Sequence, residues 1–319
     1  MKITIAQRLK PFSHTPGAKV VIPGTHFVLE AFPALLRIGN LEIPLDVPVR
    51  DFTVSQDLEK NCVWVSRNRI SASPDGFEIL FGKERKFFPI KIAFSLPEHM
   101  ERLSLGSHKT QDWDLVLRRF DLLEILPVLY ALGQKIPPLP PQPHTGTARL
   151  LDFPDETAFL GLEILCRAAF HHILVPRLSD DQHQGLCPDE EGTGNSFYLI
   201  QESARRIRSL FFRQEGNRLS LLPSCPFAAG RMTGVQTTFG PLDLEWAKGI
   251  LRRAVLHASM SGEVALDLQK AIKTFRLRLN TWEKGRKRGP SETFLVEAGK
   301  TYLLDRFQMT SVRGLRCEL

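Results

Sequence analysis

Between residue 18 and about residue 105 the apolar residues come in short runs cut by turn formers: KVVIPGTHFVLEAF, NLEIPLDVPV, NCVWVSRN, GFEILFGKE and FFPIKIAFSL. Runs of about four to eight residues, rich in Val, Ile and Phe and punctuated by Pro-Gly, Gly-Asn and Asp-Gly, predict an antiparallel sandwich or barrel. SPDGF at 73–77 is the clearest turn, because Pro74 presets φ while Asp75 and Gly76 tolerate the positive φ of a tight reversal.

The period then changes. In TQDWDLVLRRFDLLEIL, residues Trp113, Val116, Leu117, Phe120 and Leu123 share a helical face, Thr110 can cap the start, and Asp112 favours the dipole in the first turn. Pro127 is expected to kink or end that helix. KIPPLPPQP at 135–143 reads as a stiff polyproline-like connector. A second helix is predicted from about Pro154, with Phe159, Leu162, Cys166, Ala169, Phe170 and Ile173 as its buried stripe. The polar, Gly-rich segment 178–195 reads as a loop. A third helix starts at Asn195 or Ser196 with Ile200, Ala204, Ile207 and Phe211 inward, and Arg205, Arg206, Arg208 and Arg213 on its other sides.

Beyond Gly216 the period returns to two. Leu242, Leu244 and Trp246 alternate with Asp243 and Glu245; Val264, Leu266 and Leu268 with Asp267 and Gln269; Phe275, Leu277 and Leu279 with Arg276, Arg278 and Asn280. Such alternation predicts strands with one wet face, joined by AKG and SGE turns, and ETFLVEAGKTYLLDRF adds a last hairpin around Gly299. The expected fold class is α+β: an N-terminal antiparallel β-domain (1–106), a short central helical layer (107–215) containing the connector 135–143, and a C-terminal β-sandwich (216–319).

Composition narrows the function. A chain of 319 residues, 43% hydrophobic and 24% charged, has an ordinary globular balance. Its net charge of +7 comes from 42 basic against 35 acidic residues, mostly interspersed, so basicity says little about partners. Five cysteines without a C-x-x-C pair argue against a disulfide framework or a zinc knuckle and for a reducing compartment. The start lacks the apolar core of a signal peptide and no apolar run approaches the roughly 18 to 20 residues of a membrane span, so the expectation is a cytoplasmic protein without membrane contact.

From GNRLSLLPSCP onward the order of pieces resembles a known arrangement. Leu221, Leu222, Pro223 and Pro226, then Thr233 to Val235, then Phe239 to Trp246, then Ala254 to Ser259, follow the tail of glycoside hydrolases built on an (α/α)6 barrel. The resemblance is to the α-L-fucosidase family, whose last barrel helix runs into a terminal β-sandwich; GRMTGVQTTFG departs from its usual Arg-Gly-Gly. PEHMERLSLGSHK at 97–109 similarly resembles the closing strand of a β-domain that precedes such barrels. The resemblance implies a sugar hydrolase, but roughly 110 residues lie between the two β-domains, whereas twelve helices and their loops need well over about 200. No residue of the family's catalytic motif carries over, and LLPSCP reads as scaffold, with Leu219, Leu221 and Leu222 in the core and the prolines stopping the strand.

Glycoside cleavage needs two carboxylates about 5 to 10 Å apart. Asp152, Asp155 and Glu156 fall at a helix start, where acids serve as caps. Asp189, Glu190 and Glu191 lie in the polar loop and are the catalytic candidates. His171 and His172, about 100° apart on a helix, cannot share a metal as an i, i+4 pair does; with His183 they offer a metal site, against which core packing or surface exposure is the favoured reading. Cys187 has no basic partner in sequence to lower its pKa. GTGNS at 192–196 lacks the preceding strand that would make it a phosphate loop; neither G-x-S-x-G nor H-E-x-x-H occurs, so no cofactor or metal is expected. The basic candidates are Arg205, Arg206 and Arg208 on the third helix and Lys284, Arg286, Lys287 and Arg288 as a compact cluster on a hairpin loop, either of which could contact phosphates. For carbohydrate, which stacks on flat rings, Trp282 beside Asn280 and Trp64 are the candidates, while Trp113 and Trp246 belong to inward stripes.

These readings favour a non-catalytic or degenerate relative of sugar hydrolases that binds glycan or a protein partner. The alternatives are a minimal hydrolase using the 180–195 acids and a basic nucleic-acid or assembly adaptor. β-domains missing their barrel would expose apolar surface, so self-association is also expected.

Overall fold

The computed structural model describes residues 2–45, 51–106, 111–144, 146–152, 154, 161–169 and 196–309. The fold is α+β, with an N-terminal antiparallel β-domain, a short helical layer and a C-terminal β-sandwich. Two compact units divide the chain: one comprises Ala6–Met100 and Ser107–Ile207, the other Met1–Ile5, Glu101–Gly106 and Arg208–Leu319. The first residues and the Glu101–Gly106 segment therefore belong with the C-terminal strands.

The N-terminal unit carries β1 (Phe12–Ser13), β2 (Ala18–Val21), β3 (Val28–Ala31), β4 (Leu35–Ile38), β5 (Leu41–Pro44), β6 (Val54–Asp57), β7 (Cys62–Val65), β8 (Asn68–Ser73), β9 (Gly76–Phe81) and β10 (Glu84–Pro89). β2 to β5 form a four-stranded meander, and the others a six-stranded sheet in the order β1-β6-β7-β8-β9-β10. The strands of both sheets pair antiparallel, so the short alternating runs bury one side: Val20, Leu29, Leu36, Val63, Ile70 and Ile79 are fully buried. The SPDGF turn joins β8 to β9 with Ser73 opposite Gly76. Gly76 has φ 147°, and a Cβ there would lie 2.2 Å from the Phe88 carbonyl oxygen, so only glycine fits.

β11 (Arg102–Ser104) precedes the helical region, where two helices replace the single one expected. Asp112, not a first-turn residue, is the N-cap of α1 (Trp113–Arg119), accepting from the amides of Asp114 and Leu115. Phe120 then turns left-handed (φ 46°), and Asp121 caps α2 (Leu122–Gly133) by accepting from Leu123. Pro127 sits inside α2 without ending it, within the buried run Ile125 to Gly133. The proline-rich stretch is held inside the N-terminal unit: buried Gln201 donates Nε2 to the carbonyls of Ile136 (2.8 Å) and Pro137 (2.7 Å) and accepts from the Leu139 amide.

The later helices are α3 (Leu162–Ala169) and α4 (Ser196–Phe211). Leu162 and Cys166 are buried as the stripe predicts, while Phe159, Phe170 and Ile173 lie outside the described residues. On α4, Ile200, Ala204, Ile207 and Phe211 are all buried. α2 and α4 approach closely at Gly133, where a Cβ would lie 2.4 Å from Ala204 Cβ and 2.9 Å from the Ile200 carbonyl oxygen. Gly133→Ala should therefore cost about 2 kcal/mol by forcing the helices apart, read as a lower urea midpoint at unchanged slope. An unchanged midpoint would contradict the crossing.

The C-terminal unit adds β12 (Phe212–Glu215), β13 (Arg218–Leu221), β14 (Ala229–Val235), β15 (Leu242–Ala247), β16 (Ile250–His257), β17 (Gly262–Asp267), β18 (Ile272–Arg278), β19 (Arg286–Arg288), β20 (Phe294–Val296) and β21 (Thr301–Met309). One sheet has seven strands in the order β11-β14-β15-β16-β21-β18-β19; the other has four, β12-β13-β17-β20, with β13 and β17 parallel. Ring contacts such as Phe294 with Tyr302, centroids 6.2 Å apart, join the sheets. Trp246 is 1% exposed, packs on Phe211 and donates Nε1 to the Phe227 carbonyl.

GNRLSLLPSCP forms the turn after β12, then β13 and its exit. Gly216 takes φ 58° at the turn, and Leu219, Leu221 and Leu222 are buried. Leu222 ends β13 by turning left-handed (φ 56°) while its amide bonds the Phe211 carbonyl. AKG is a two-residue reversal with positive φ at Lys248 and Gly249. Two expected hairpins are different. The strands flanking Gly299, β20 and β21, lie in opposite sheets, and the SGE turn likewise leads from β16 to a strand paired with β13 and β20. Both strands beside each turn must bury apolar positions, and crossing the sandwich satisfies them as well as pairing does.

Candidate functional site

The seven-stranded sheet presents its apolar side to the sandwich core, and the side expected to be wet carries a row of charge. At one rung the register aligns Ser104, Arg231, Glu245, Arg253, Asp305, Arg276 and Lys287 on seven successive strands. Glu245 is shared by Arg231 (3.0 Å) and Arg253, and Asp305 by Arg276 (2.7 Å) and Arg278 (2.5 Å). Two carboxylates thus serve four guanidinium groups. Their side chains are only 16% and 10% exposed, so these charges are largely withdrawn from water. Burial pushes the Asp305 carboxyl up, but the hydrogen bonds and charges of Arg276 and Arg278 outweigh it and leave its pKa below the usual carboxylate value. At the β14 side the N-terminal segment lies on the same face: Thr4 accepts from Arg231, and Ile3 packs with Val255 and Leu303.

At the other side the rung runs into the β18–β19 hairpin. Asn280 Oδ1 accepts from the amides of Trp282 (3.0 Å) and Glu283 (2.8 Å), and Glu283 accepts from the Leu279 amide. Asn280 therefore shapes the loop rather than offering its carbonyl to a ligand. Arg278 ties the loop to the rung, donating Nη1 to the Thr281 carbonyl (2.7 Å) and Nη2 to Asp305. The result is a fixed loop with Trp282 95% exposed at its tip.

The basic cluster is not compact. Arg286 to Arg288 form a strand, so Lys287 points to the rung face opposite Arg276, while Arg286 and Arg288 point to the other side and Arg288 pairs with Glu292. Lys284 is exposed in the loop. The α4 arginines do not form a shared basic face: Arg205 pairs with Glu202, Arg206 is 8% exposed and donates to the Leu151 carbonyl, and Arg208 grips Glu101 and the Gln236 carbonyl. Trp64 is half-buried on β7 with the Lys10 ammonium 5.7 Å over its ring, so that face is taken. Asp155, Glu156, Asp189, Glu190, Glu191, His171, His172, His183 and Cys187 lie outside the described residues.

Two acid–histidine–hydroxyl lines were not legible in the sequence because their members are far apart in it. Asp243, 7% exposed and held by the Gly234 amide, contacts His257 Nε2 (3.3 Å), whose Nδ1 meets Thr301 Oγ1 at 3.5 Å. An activated hydroxyl needs donors for an oxyanion. The nearby amides of Ala258, Gly299 and Lys300 already bond the carbonyls of Lys300, Ala258 and Glu297. His144 joins Asp152 (2.6 Å) to Tyr198 (3.2 Å) and fastens the turn Gly146–Asp152 to α4. Lys135, a buried amine whose pKa burial lowers against Glu59 and Asp57, donates to Asn61 and is a structural bolt. Cys225 is equally unsuited to attack, since burial raises its pKa to about 11.

Among the described residues there is no group of three or more His, Cys, Asp or Glu placed to hold a metal, and no helix is long and apolar enough to cross a membrane. No family model matches the chain, and no curated protein matches it.

Proposed function

We propose that the protein is a non-catalytic, degenerate relative of the (α/α)6-barrel glycoside hydrolases that binds carbohydrate through the Trp282 hairpin. The observation that carries this reading is an indole 95% exposed on a loop fixed by four hydrogen bonds to Asn280, Glu283 and Arg278. A freely exposed Trp is costly in water, and one carried on a fixed backbone offers a saccharide ring a stacking surface with little backbone entropy to lose. The order of the tail pieces supports the family, and the free thiols of Cys62 and Cys225 support a reducing, cytoplasmic setting.

The test is thermal stabilisation across a panel of neutral and acidic oligosaccharides. A saccharide at about one hundred times its Kd stabilises by about 2.7 kcal/mol. Trp282→Ala should weaken binding about tenfold or more without changing the melting temperature of the free protein, and Trp282→Phe should fall between. If no saccharide shifts the transition, or if the alanine variant binds as well as wild type, the reading fails and a protein partner becomes the better assignment.

A further inference from the structure

We propose that the saccharide bound at this hairpin is acidic: a sugar ring stacks on Trp282 while a carboxylate or sulfate is held by Lys287 and Arg276 at the β19 end of the rung. The inference rests on the carbohydrate reading and assigns its ligand class. Three features point to it.

The first is an imbalance of charge. Along the rung each carboxylate is divided between two arginines, and beyond Asp305 the sequence of charges ends in Arg276 followed by Lys287 on the adjacent strand. Like charges directly opposite each other in a sheet repel. Such a local conflict on an otherwise paired rung marks a place where a ligand supplies the missing charge. Arg276 spends Nε and Nη2 on Asp305, so its remaining donors are available to a ligand anion.

The second is the coupling of the two elements. Arg278 bonds Asp305 on the rung and the Thr281 carbonyl one residue before Trp282, which places the aromatic loop on the same side of the sheet as Lys287 and Arg276. Its side chain is 9% exposed, and its Nε is buried without an acceptor. Apolar stacking and anion recognition are thus joined through one rigid side chain.

The third is directionality. Arg286 and Arg288 flank Lys287 in sequence but project from the opposite side of β19. A flat bilayer would meet the tip of the hairpin and feel all these cations together. An extended single strand of nucleic acid would call for several aromatic platforms, whereas Trp282 is one. A short acidic glycan needs one ring and one cationic pair.

The experiment titrates the whole protein with oligogalacturonate and with its carboxyl-reduced, neutral counterpart, followed by calorimetry, for wild type, Lys287→Gln, Arg286→Gln and Trp282→Ala. Wild type should bind the uronate at least about tenfold more tightly than the reduced oligomer. Lys287→Gln should weaken the uronate about tenfold and leave the reduced oligomer unchanged, whereas Arg286→Gln, removing the same charge from the opposite face, should change either by less than about twofold. Trp282→Ala should weaken both. Equal binding of the two oligomers sinks the acidic assignment and leaves carbohydrate binding standing. Equal losses in Lys287→Gln and Arg286→Gln would reduce the site to diffuse charge and overturn it as well. Absence of binding by both oligomers, with tight binding of phosphatidylserine vesicles or of a single-stranded oligonucleotide, overturns both readings.

Discussion

Glu101→Ala destabilises the C-terminal unit by about 3 kcal/mol, seen as a lower urea midpoint at unchanged slope. Glu101 is 7% exposed and accepts twice from Arg208, at 2.8 and 3.0 Å, and once from the Gln236 amide at 2.8 Å. The same guanidinium donates to the Gln236 carbonyl and lies 4.9 Å over the Phe212 ring. One carboxylate thereby fastens the start of β11 to the last turn of α4 and to the segment after β14. Truncating it takes its carboxylate partner from a part-buried cation and its acceptor from the Gln236 amide at once. Glu101→Gln keeps an acceptor for the Gln236 amide and should cost about half as much. Adding Arg208→Met to Glu101→Ala should cost clearly less than the two single changes summed, because the stranded charge is gone. Simple additivity in that cycle would refute the network.

What the sequence made legible follows from what is local. Period-two runs identified the strands, and the 3.6-residue stripe of Ile200, Ala204, Ile207 and Phe211 identified α4, because these patterns are decided within a few residues. The break at Phe120 is not legible in the sequence because two aspartates, Asp112 and Asp121, compete to start a helix, and a left-handed phenylalanine between them is not a common stop. Strand partners are a different matter. The residues around Gly299 and Ser261 carry good turn chemistry whether the chain reverses within a sheet or crosses between two, and only distant strands decide. For the same reason Arg276 and Arg278 were visible as one face of a strand, but their acid, Asp305, was not. Register is a property of two strands, and the face that looked wet is dry wherever the facing strand supplies the opposite charge. Trp282 stands out in the sequence because it follows Asn280 at a strand end beside the basic loop, and its exposure agrees with a tryptophan that has no core to enter.

Asp305→Asn should cost about 3 kcal/mol near neutral pH and should remove part of the protein's sensitivity to acid. The substitution keeps shape and an acceptor but withdraws the charge from Arg276 and Arg278, whose side chains are 18% and 9% exposed and cannot turn fully to water. The pH dependence has a definite sign. The folded Asp305 titrates below its ordinary value, so between the folded pKa and about pH 4 to 5 the unfolded chain holds more protons than the native one. Stability from this carboxylate is complete above that window and is lost as pH falls through it. The wild-type advantage over the variant, measured by urea unfolding, should accordingly be largest near pH 7 and should shrink below about pH 3. A constant difference across that range would mean that Asp305 acts by packing and not by charge. Adding Arg278→Met should recover part of the loss at pH 7, since a desolvated cation without its anion costs more than an apolar stem in the same place. The variant also bears on the ligand. With Asp305 neutral the rung has four arginines for Glu245 alone, so an acidic oligosaccharide should bind Asp305→Asn more tightly than wild type at equal salt, provided the hairpin stays folded. The neutral oligomer, stacking on Trp282 without reading the charge, should not distinguish the two.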